Sequence, residues 1–312
     1  MPAPFPADCV YLTGPTASGK TAVGIELARL LDAEIVAMDS MTVYRGLDIG
    51  TAKPTREERA AAPHHLLDIV DPWEEFSQAD YAAVARGAVD DILARGKLPL
   101  LVGGTPLYLK TLLRGMYEGP PPDWDFRRRL EAEADQHGPT YLQDRLAKVD
   151  PPAAAKLHAN DRRRLIRALE VFELTSRPLS EQQREFEHPR DEAMGRVFLL
   201  DWPRPELFAR IDWRVDVMLD AGLIAETEAA LATPGGMSRT ARQGLGYREV
   251  IDMLEGRLAP AELADAIKTH TRQFAKRQGT WFRSLEECRK IAMSEPTDAC
   301  RTAGVIAAQV AA

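Results

Sequence analysis

Cysteine is scarce in this 312-residue chain, which has only Cys9, Cys288 and Cys300. They lie too far apart to form the paired spacing of a zinc site or of a disulfide framework. Long hydrophobic runs are also missing, since no apolar stretch approaches the ~18 residues that a membrane-spanning helix needs. Residues 1–8 lack the charged and then apolar pattern of a signal peptide. These absences predict a cytoplasmic protein without a membrane partner.

The sequence also has no excess of positive charge. The formal net charge is −7, which taken alone argues against a nucleic-acid partner. The basic residues are clustered, however, in 127–129, in 162–164 with Arg167, and in 269–283, where they alternate with aromatic residues. Such clusters are either solvated helix faces or surfaces that bind a phosphate backbone and stack bases.

A short apolar run at 10–13 is followed by the pattern Gly-x4-Gly-Lys-Thr. This pattern is typical of a phosphate-binding loop, in which backbone N–H groups and the N-terminus of the next helix surround an anion. The lysine adds a full charge and the threonine hydroxyl is a ligand for Mg²⁺. The sequence therefore predicts that a di- or triphosphate binds to Gly14, Pro15, Thr16, Ala17, Ser18, Gly19, Lys20 and Thr21.

Two more short apolar runs, 33–38 and 98–102, predict buried strands. The first ends in Asp39-Ser40 and the second in Gly103-Gly104-Thr105. Ligands of open α/β sheets bind at the carboxyl ends of strands, so both endings are candidates for the site. The alternatives are an ordinary turn or cap residue for Asp39 and a plain strand-to-helix turn for the glycines. For His64 and His65, which lack a third ligand, a structural role is favoured over a metal site.

The proline run at 119–123 predicts a domain boundary, after which 124–186 is predicted to be almost entirely helical, with breaks at 138–139 and 151–152. The run 196–200 predicts a strand that returns to the first sheet. We therefore expect an α/β fold: a P-loop parallel sheet core with C-terminal helices, formed by 1–120 and 196–312, and an inserted mostly helical domain at 121–195. Nothing in the sequence requires more than a monomer.

Several motifs together resemble those of the tRNA dimethylallyltransferases, also called tRNA isopentenyltransferases. The motifs are GPTASGKT, DSMTVYRGLDIGTAKP, LLVGGTPLYLK, NDRRRLIRALEV, GYREV and TRQFAKRQGTWFR, which span about residues 11–283 in the order of the family. The resemblance implies transfer of the dimethylallyl group from dimethylallyl diphosphate to the exocyclic N6 amine of adenosine 37, next to the anticodon of tRNA. It implies that Asp39 is the general base, that Thr105 positions the amine and the diphosphate, and that Arg214 stabilises the departing diphosphate. Mg²⁺ on Thr21 would offset the charge of the diphosphate.

The resemblance also implies contacts with tRNA in both predicted domains. Because a stacked base cannot reach an allylic carbon in a protein cavity, the target adenine is expected to be flipped out of the anticodon loop. The implied tRNA contacts are Asp39, Ser40, Met41, Thr42, Thr105, Arg127, Arg163, Arg164, Leu165, Ile166, Arg167, Gln243, Gly244, Leu245, Gly246, Tyr247, Arg248, Thr271, Arg272, Gln273, Phe274, Ala275, Lys276, Arg277 and Gln278.

The chain departs from the family pattern at two places. Met41-Thr42 stands where the family usually has a longer apolar or Gln-bearing stretch, which affects the base contact of Thr42 but not the role of Asp39. A C-terminal zinc-finger motif is absent, as in bacterial members. Three other functions share parts of the pattern: a small-molecule kinase, an enzyme that prenylates free adenine nucleotides, and a nucleotide-switched RNA-binding protein. None of these accounts for all the motifs.

Overall fold

A computed structural model of the protein describes residues 5–186, 188–189 and 194–311. The described chain divides into two compact units. A core unit comprises Phe5–Leu113 and the described residues from 194 onward, and a helical unit comprises Arg114–Pro189. Residues 1–4, 187, 190–193 and 312 of the predicted domains lie outside the described residues.

The first half of the core unit alternates strands and helices. Each of the three strands predicted from apolar runs is present, and two short elements, α2 and β3, were not predicted. The elements are β1 (Val10–Thr13), α1 (Lys20–Leu31), β2 (Ala33–Ala37), α2 (Arg56–Ala61), β3 (His64–His65), α3 (Gln78–Ala94), β4 (Leu98–Gly103) and α4 (Pro106–Arg114). Ser77 accepts a hydrogen bond from the N–H of Asp80 and so caps α3.

The helical unit is built from five helices in its described residues. They are α5 (Trp124–His137), α6 (Tyr141–Ala147), α7 (Pro151–Lys156), α8 (Arg162–Thr175) and α9 (Leu179–Gln182). The predicted breaks are confirmed: α5 ends before Gly138, and Pro151 starts α7, where its missing N–H costs no helical hydrogen bond. Apolar side chains on α5, α6 and α8, among them Phe126, Leu142 and Leu169, form the core of this unit.

The second half of the core unit begins with the predicted returning strand. Its elements are β5 (Val197–Asp201), α10 (Arg204–Asp220), α11 (Leu223–Leu231), α12 (Tyr247–Leu254), α13 (Leu263–Arg283), β6 (Cys288–Ala292) and α14 (Ala299–Val310). The last two elements were not predicted. Ala303 and Ile306 of α14 are buried in the same cluster as Val23 and Leu27 of α1.

The six strands form one parallel sheet in the order β3-β2-β4-β1-β5-β6. This arrangement confirms the predicted α/β fold with a parallel P-loop core. Strand residues alternate between two buried faces: Leu12 and Phe198 pack with α1, while Tyr11 and Leu199 pack on the opposite face with α3 and α4. The carboxyl ends of β2, β4 and β1 are therefore neighbours at one edge.

A third apolar cluster joins the C-terminal helices to the irregular segment after β2. Tyr44 and Leu47 of that segment are buried with Val215 of α10, Tyr247 of α12 and Ile267 of α13. None of the helices in the described ranges is both long enough and apolar enough to cross a membrane.

Candidate active site

The phosphate-binding loop lies between β1 and α1, as its motif predicts. Gly19, directly before α1, has φ +88°, a left-handed conformation that glycine adopts without strain. Lys20 donates hydrogen bonds from Nζ to the carbonyl oxygens of Gly14 (3.0 Å) and Pro15 (2.8 Å). Burial lowers the pKa of the Lys20 ammonium to about 8; the carboxylate of Asp39 opposes the shift and the charge of Arg214 adds to it.

Three side chains from distant parts of the sequence hold the backbone of this loop. Gln278 Oε1 accepts a hydrogen bond from the N–H of Thr16 (2.9 Å). Arg210 Nε donates to the carbonyl of Ala17 (2.8 Å), and Trp202 Nε1 donates to that of Ser18 (3.0 Å). The contacts of Arg210 and Trp202 were not predicted from the sequence, because each side chain reaches the loop only through the fold.

Two hydroxyl groups of the loop are candidates for contact with a ligand. The Ser18 hydroxyl is buried and has no hydrogen-bond partner in the described chain. Because an unpaired buried hydroxyl is costly, this group indicates a ligand oxygen at the loop. Thr21 lines the same cavity as Ser18. The described residues contain no cluster of three His, Cys, Asp or Glu side chains that could bind a metal by themselves.

Asp39 and Thr105 extend from the neighbouring ends of β2 and β4. Asp39 Oδ1 accepts a hydrogen bond from the N–H of Met41 (2.9 Å), so it also forms the turn that was the alternative interpretation of this residue. Its other oxygen has no hydrogen bond within the described residues. Thr105 Oγ1 accepts from the N–H of Ser40 (3.2 Å) and so ties the two strand ends together.

The glycines before Thr105 allow these strand ends to approach closely. A Cβ atom at Gly103 would lie 1.8 Å from the carbonyl oxygen of Met38, so no other residue fits there. A Cβ at Gly104 would lie 3.2 Å from both the Gly14 carbonyl oxygen and Lys20 Nζ. The second glycine turn therefore lies directly beside the phosphate loop.

Arg214 of α10 is half-buried beside this group. Burial lowers the pKa of its guanidinium, and the carboxylate of Asp39 opposes the shift. Arg214 has no ion-pair or hydrogen-bond partner among the described residues, so its charge is available to an anion. The structure thus brings together Asp39, Lys20 and Arg214, three ionisable groups that are separated in sequence by up to 194 residues.

These groups line a cavity of about 1030 Å³ in the core unit. Some of the predicted residues of the later helices also line it, whereas Arg272, Gln273, Ala275 and Lys276 do not. The predicted residues that line the cavity are Thr16, Ala17, Ser18, Gly19, Lys20, Thr21, Asp39, Ser40, Met41, Thr42, Thr105, Arg214, Gln243, Gly244, Leu245, Gly246, Tyr247, Arg248, Thr271, Phe274, Arg277 and Gln278. Thr42 is buried there with its hydroxyl unpaired among the described residues.

A loop after β2 forms part of the cavity wall and is held by a glutamate that was not predicted from the sequence. Glu226 of α11 accepts hydrogen bonds from the N–H groups of Asp48, Ile49 and Gly50 (2.8, 2.8 and 3.1 Å). Its Oε1 also accepts a hydrogen bond from the Tyr247 hydroxyl. The ring of Tyr247 leaves no room for a side chain at Gly50. Only the tertiary structure identifies this contact, because Glu226 lies in an unremarkable helical stretch.

Helix α13 presents its predicted tRNA-binding residues in different environments. Gln273, Lys276 and Arg277 are exposed, and the Arg277 guanidinium lies 5.9 Å from the ring centre of Phe274. Arg272 pairs with Asp212 (2.7 Å). The side chain of Ala275 is buried in the sheet core, so it is not part of the exposed surface of this helix.

In the helical unit two predicted tRNA contacts are part of an internal ion-pair network. Glu170 is fully buried and accepts hydrogen bonds from Arg127 (2.8 and 2.7 Å), Arg167 (2.6 Å) and the N–H of Asp123 (2.8 Å). Burial favours a raised pKa for the Glu170 carboxyl, but the hydrogen bonds from Arg127 and Arg167 outweigh it and lower the pKa. Arg127 and Arg167 therefore have a structural role in addition to any contact with RNA.

The remaining predicted contacts of this unit divide into exposed and buried residues. Arg163 and Arg164 are exposed on α8, and Arg164 lies 3.4 Å from the carboxylate of Asp161. Leu165 and Ile166 are buried in the core of the helical unit. The helical turn that exposes the arginines directs these next two side chains inward, and their predicted contact with tRNA stays a prediction.

The two adjacent histidines have protein partners. His64 Nδ1 lies 2.7 Å from the carbonyl oxygen of Ala62, and His65 Nε2 lies 2.6 Å from Oε2 of Glu34. Both residues form β3 at the edge of the sheet. The favoured structural role fits these contacts.

Comparison with protein families gives two matches along the chain. Residues 42–285 match the family described as IPP transferase, and residues 8–68 match the family described as isopentenyl transferase. The first match alone covers more than half of the chain.

Individual relatives align along nearly the whole length. The tRNA dimethylallyltransferase of Rhodopirellula baltica is 47% identical over 305 residues, which are 95% of this chain and 91% of that protein. The tRNA dimethylallyltransferase 1 of Trichlorobacter lovleyi is 48% identical over 286 residues, covering 92% and 94% of the two chains.

Solved structures show the same fold. The crystal structure of the tRNA isopentenylpyrophosphate transferase from Bacillus halodurans superposes with a TM-score of 0.69 and 38% identity, covering 97% of this chain and 96% of that one. A eukaryotic dimethylallyltransferase, captured acting on tRNA, superposes with a TM-score of 0.77 and 29% identity, covering 92% and 74%.

Proposed function

This chain belongs to the tRNA dimethylallyltransferase family, and on that premise we propose that it transfers the dimethylallyl group from dimethylallyl diphosphate to the N6 amine of adenosine 37 in tRNA. It is a transferase of tRNA modification. The observation that carries the proposal is that Asp39, Thr105 and the phosphate loop lie at adjacent strand ends and line one cavity. The cavity can therefore hold a diphosphate at the loop and a proton acceptor, Asp39, at the neighbouring strand end.

In the proposed reaction the adenine N6 attacks C1 of the dimethylallyl group. The new C–N bond forms as the C1–O bond breaks, and the diphosphate leaves with the electron pair of that bond. The amine becomes acidic as the C–N bond forms, so an ordinary carboxylate can accept its proton. Asp39 has one oxygen held by the Met41 N–H and one without a partner in the described chain, and we assign the proton to the second. Thr105 fixes the turn that carries Asp39 and positions the amine.

The negative charge of the leaving group is offset by the loop and its neighbours. The backbone N–H groups at the start of α1, the Lys20 ammonium and the Arg214 guanidinium all face the cavity. The buried Ser18 hydroxyl supplies a further donor. The Thr21 hydroxyl would hold Mg²⁺ together with phosphate oxygens and water, since the described residues contain no cluster of three His, Cys, Asp or Glu side chains; when bound, the ion would neutralise diphosphate charge.

We propose that tRNA binds through its phosphates to cations that have no ion-pair partner among the described residues. Arg163 on the helical unit and Lys276 and Arg277 on the core unit are exposed and meet this condition. The target adenine enters the cavity after it is flipped out of the anticodon loop, and RNA loops are the usual targets of such recognition. The segment 243–248, which lines the cavity, is the proposed contact for the flipped base and its neighbours.

The experiment that tests this function uses purified protein, Mg²⁺, radiolabelled dimethylallyl diphosphate and an unmodified tRNA with adenosine at position 37. The same tRNA with guanosine at position 37 is the control acceptor, and AMP is the rival acceptor. We expect label only in the tRNA with adenosine 37. Label in AMP would favour the enzyme that prenylates free nucleotides, and ATP hydrolysis without label transfer would favour a kinase or a nucleotide switch. Gel filtration of the same preparation measures the oligomeric state and so tests the prediction of a monomer.

A further inference from the structure

Gln278 is a buried polar residue on a helix whose exposed side is basic. Only 3% of its surface is accessible, whereas Lys276 and Arg277, directly before it, are exposed. A buried amide side chain is costly unless its oxygen accepts and its nitrogen donates hydrogen bonds. The partners of Gln278 therefore show what this residue does.

Both ends of the Gln278 amide bind to the backbone of the candidate active site. Its Oε1 accepts from the N–H of Thr16 in the phosphate loop (2.9 Å), and its Nε2 donates to the carbonyl oxygen of Gly104 (2.6 Å). The orientation of the amide is fixed by these partners, because the Thr16 N–H can only donate and the Gly104 carbonyl can only accept. One side chain thus joins the loop after β1 to the turn after β4.

The joined segments carry the two halves of the proposed reaction. Thr16 belongs to the loop proposed to hold the diphosphate, and Gly104 precedes Thr105, which is proposed to position the amine. The fit around Gly104 is tight: a Cβ there would lie 3.0 Å from Gln278 Nε2 and 3.2 Å from Lys20 Nζ. A change in the length or hydrogen bonding of residue 278 must therefore alter the separation of the loop and the turn.

From these contacts we infer that Gln278 is a positioning residue for the donor diphosphate and does not bind tRNA. This inference rests on the proposed function, and it reassigns a residue that the resemblance places among the tRNA contacts. The same helix then serves both substrates, with Gln278 on its buried side and Lys276 and Arg277 on its exposed side. Donor binding and tRNA binding are separable by mutation at positions two residues apart.

Two substitutions at position 278 test the inference, with inorganic diphosphate and tRNA as separate probes. Q278M keeps the size of the side chain and removes both hydrogen bonds. Q278E keeps the acceptor for the Thr16 N–H but replaces the donor to Gly104 with a negative charge near the loop. We expect each to raise the Kd for inorganic diphosphate and the KM for dimethylallyl diphosphate by about tenfold or more, because Q278M loses both hydrogen bonds and Q278E loses the bond to Gly104 and adds a negative charge that repels the diphosphate. The Kd for tRNA, measured without donor, stays within about twofold.

Control substitutions on the same helix complete the test. D265N changes an exposed residue near the start of this helix, outside the cavity and the predicted contacts, and should alter the binding of neither ligand, while K276A should weaken tRNA binding and leave diphosphate binding unchanged. Unchanged tRNA affinity also shows that the 278 variants are folded. A tenfold loss of tRNA affinity in Q278M or Q278E, or diphosphate binding equal to wild type in both, would overturn the inference. Absence of transfer to tRNA by the wild type would instead refute the proposed function, since the diphosphate measurement needs no catalysis.

Discussion

The hydroxyl of Tyr247 donates a 2.7 Å hydrogen bond to Glu226, and the same carboxylate accepts three successive backbone N–H groups from Asp48, Ile49 and Gly50. Converging backbone N–H groups form a site that suits an anion, and here the anion is a side chain of the protein itself. Glu226 therefore connects α11, α12 and the loop that forms one wall of the cavity.

We predict that Glu226→Ala lowers the rate of transfer by ~10-fold or more, because the loop loses hydrogen bonds that total at least ~1.4 kcal/mol. Millimolar formate should restore part of the activity by occupying the vacated N–H groups. Steady-state assays with and without formate measure both effects, and Glu228→Ala, at an exposed position on the same helix, is the control. Wild-type activity in Glu226→Ala would show that the loop does not depend on this carboxylate.

Asp39→Asn is expected to reduce transfer by ~10²-fold or more, because the amide keeps the size of the side chain but cannot accept the proton of the amine. Binding of tRNA and of dimethylallyl diphosphate should change little. Single-turnover assays with saturating substrates isolate the chemical step, and Asp32→Asn, at an exposed residue before β2, serves as the matched control. Turnover near the wild-type rate would remove Asp39 from the mechanism.

The pKa of about 8 for Lys20 predicts the pH dependence of donor binding. The ammonium form attracts the diphosphate, so kcat/KM for the donor should fall as the pH rises above about 8 and should not depend on this group below it. Bound diphosphate favours the ammonium form, so kcat should persist to higher pH. A pH profile of both constants checks this, and Lys20→Arg should abolish the alkaline decrease in kcat/KM. Persistence of the same decrease in that variant would assign it to another group.

Ala substitutions at Arg163, Lys276 and Arg277 should each weaken tRNA binding and reduce the slope of log K against log salt by ~0.7 to 0.9, the value for one phosphate contact. Arg272→Ala should have a smaller effect, because Asp212 already neutralises that charge in the free protein. Filter binding at several salt concentrations measures the slopes. Arg29→Ala on α1, outside the cavity and the basic clusters, is the control, and slopes equal to wild type in the first three variants would exclude them as phosphate contacts.

Glu170→Gln is expected to destabilise the protein at pH 7 by ~1 to 3 kcal/mol, because Arg127 and Arg167 lose a buried carboxylate. The lowered pKa of Glu170 means that the carboxylate stabilises the fold above its unfolded pKa of ~4.3, and that this contribution is lost as the pH falls through the folded value. Urea unfolding of the full chain should therefore show a difference between wild type and variant at pH 7 that shrinks below pH 4. Glu173 is exposed on the same helix, so Glu173→Gln should leave the free energy of unfolding unchanged both at pH 7 and below pH 4. An equal loss of stability in that variant would indicate a general effect of charge.

The sequence by itself determined the features that are local along the chain. The phosphate loop, its strand and its helix follow from contiguous residues whose backbone preferences and charges agree, and the strand endings at Asp39 and Thr105 follow from short apolar runs. The order of the parallel strands then places these endings side by side, as the rule for open α/β sheets predicts. The family motifs added the expected roles of Arg214 and of the later helices.

Only the tertiary structure decided which side chains face the site and which face the core. The resemblance to the family implied tRNA contacts for residues 163–167 as one stretch, so it did not distinguish the exposed Arg163 from the buried Leu165 and Ile166. Gln278 and Glu226 bind backbone groups more than 170 residues away, and no local pattern encodes such partners. A hydrogen bond to a distant backbone depends on how helices and sheet pack, so it is determined by the fold as a whole.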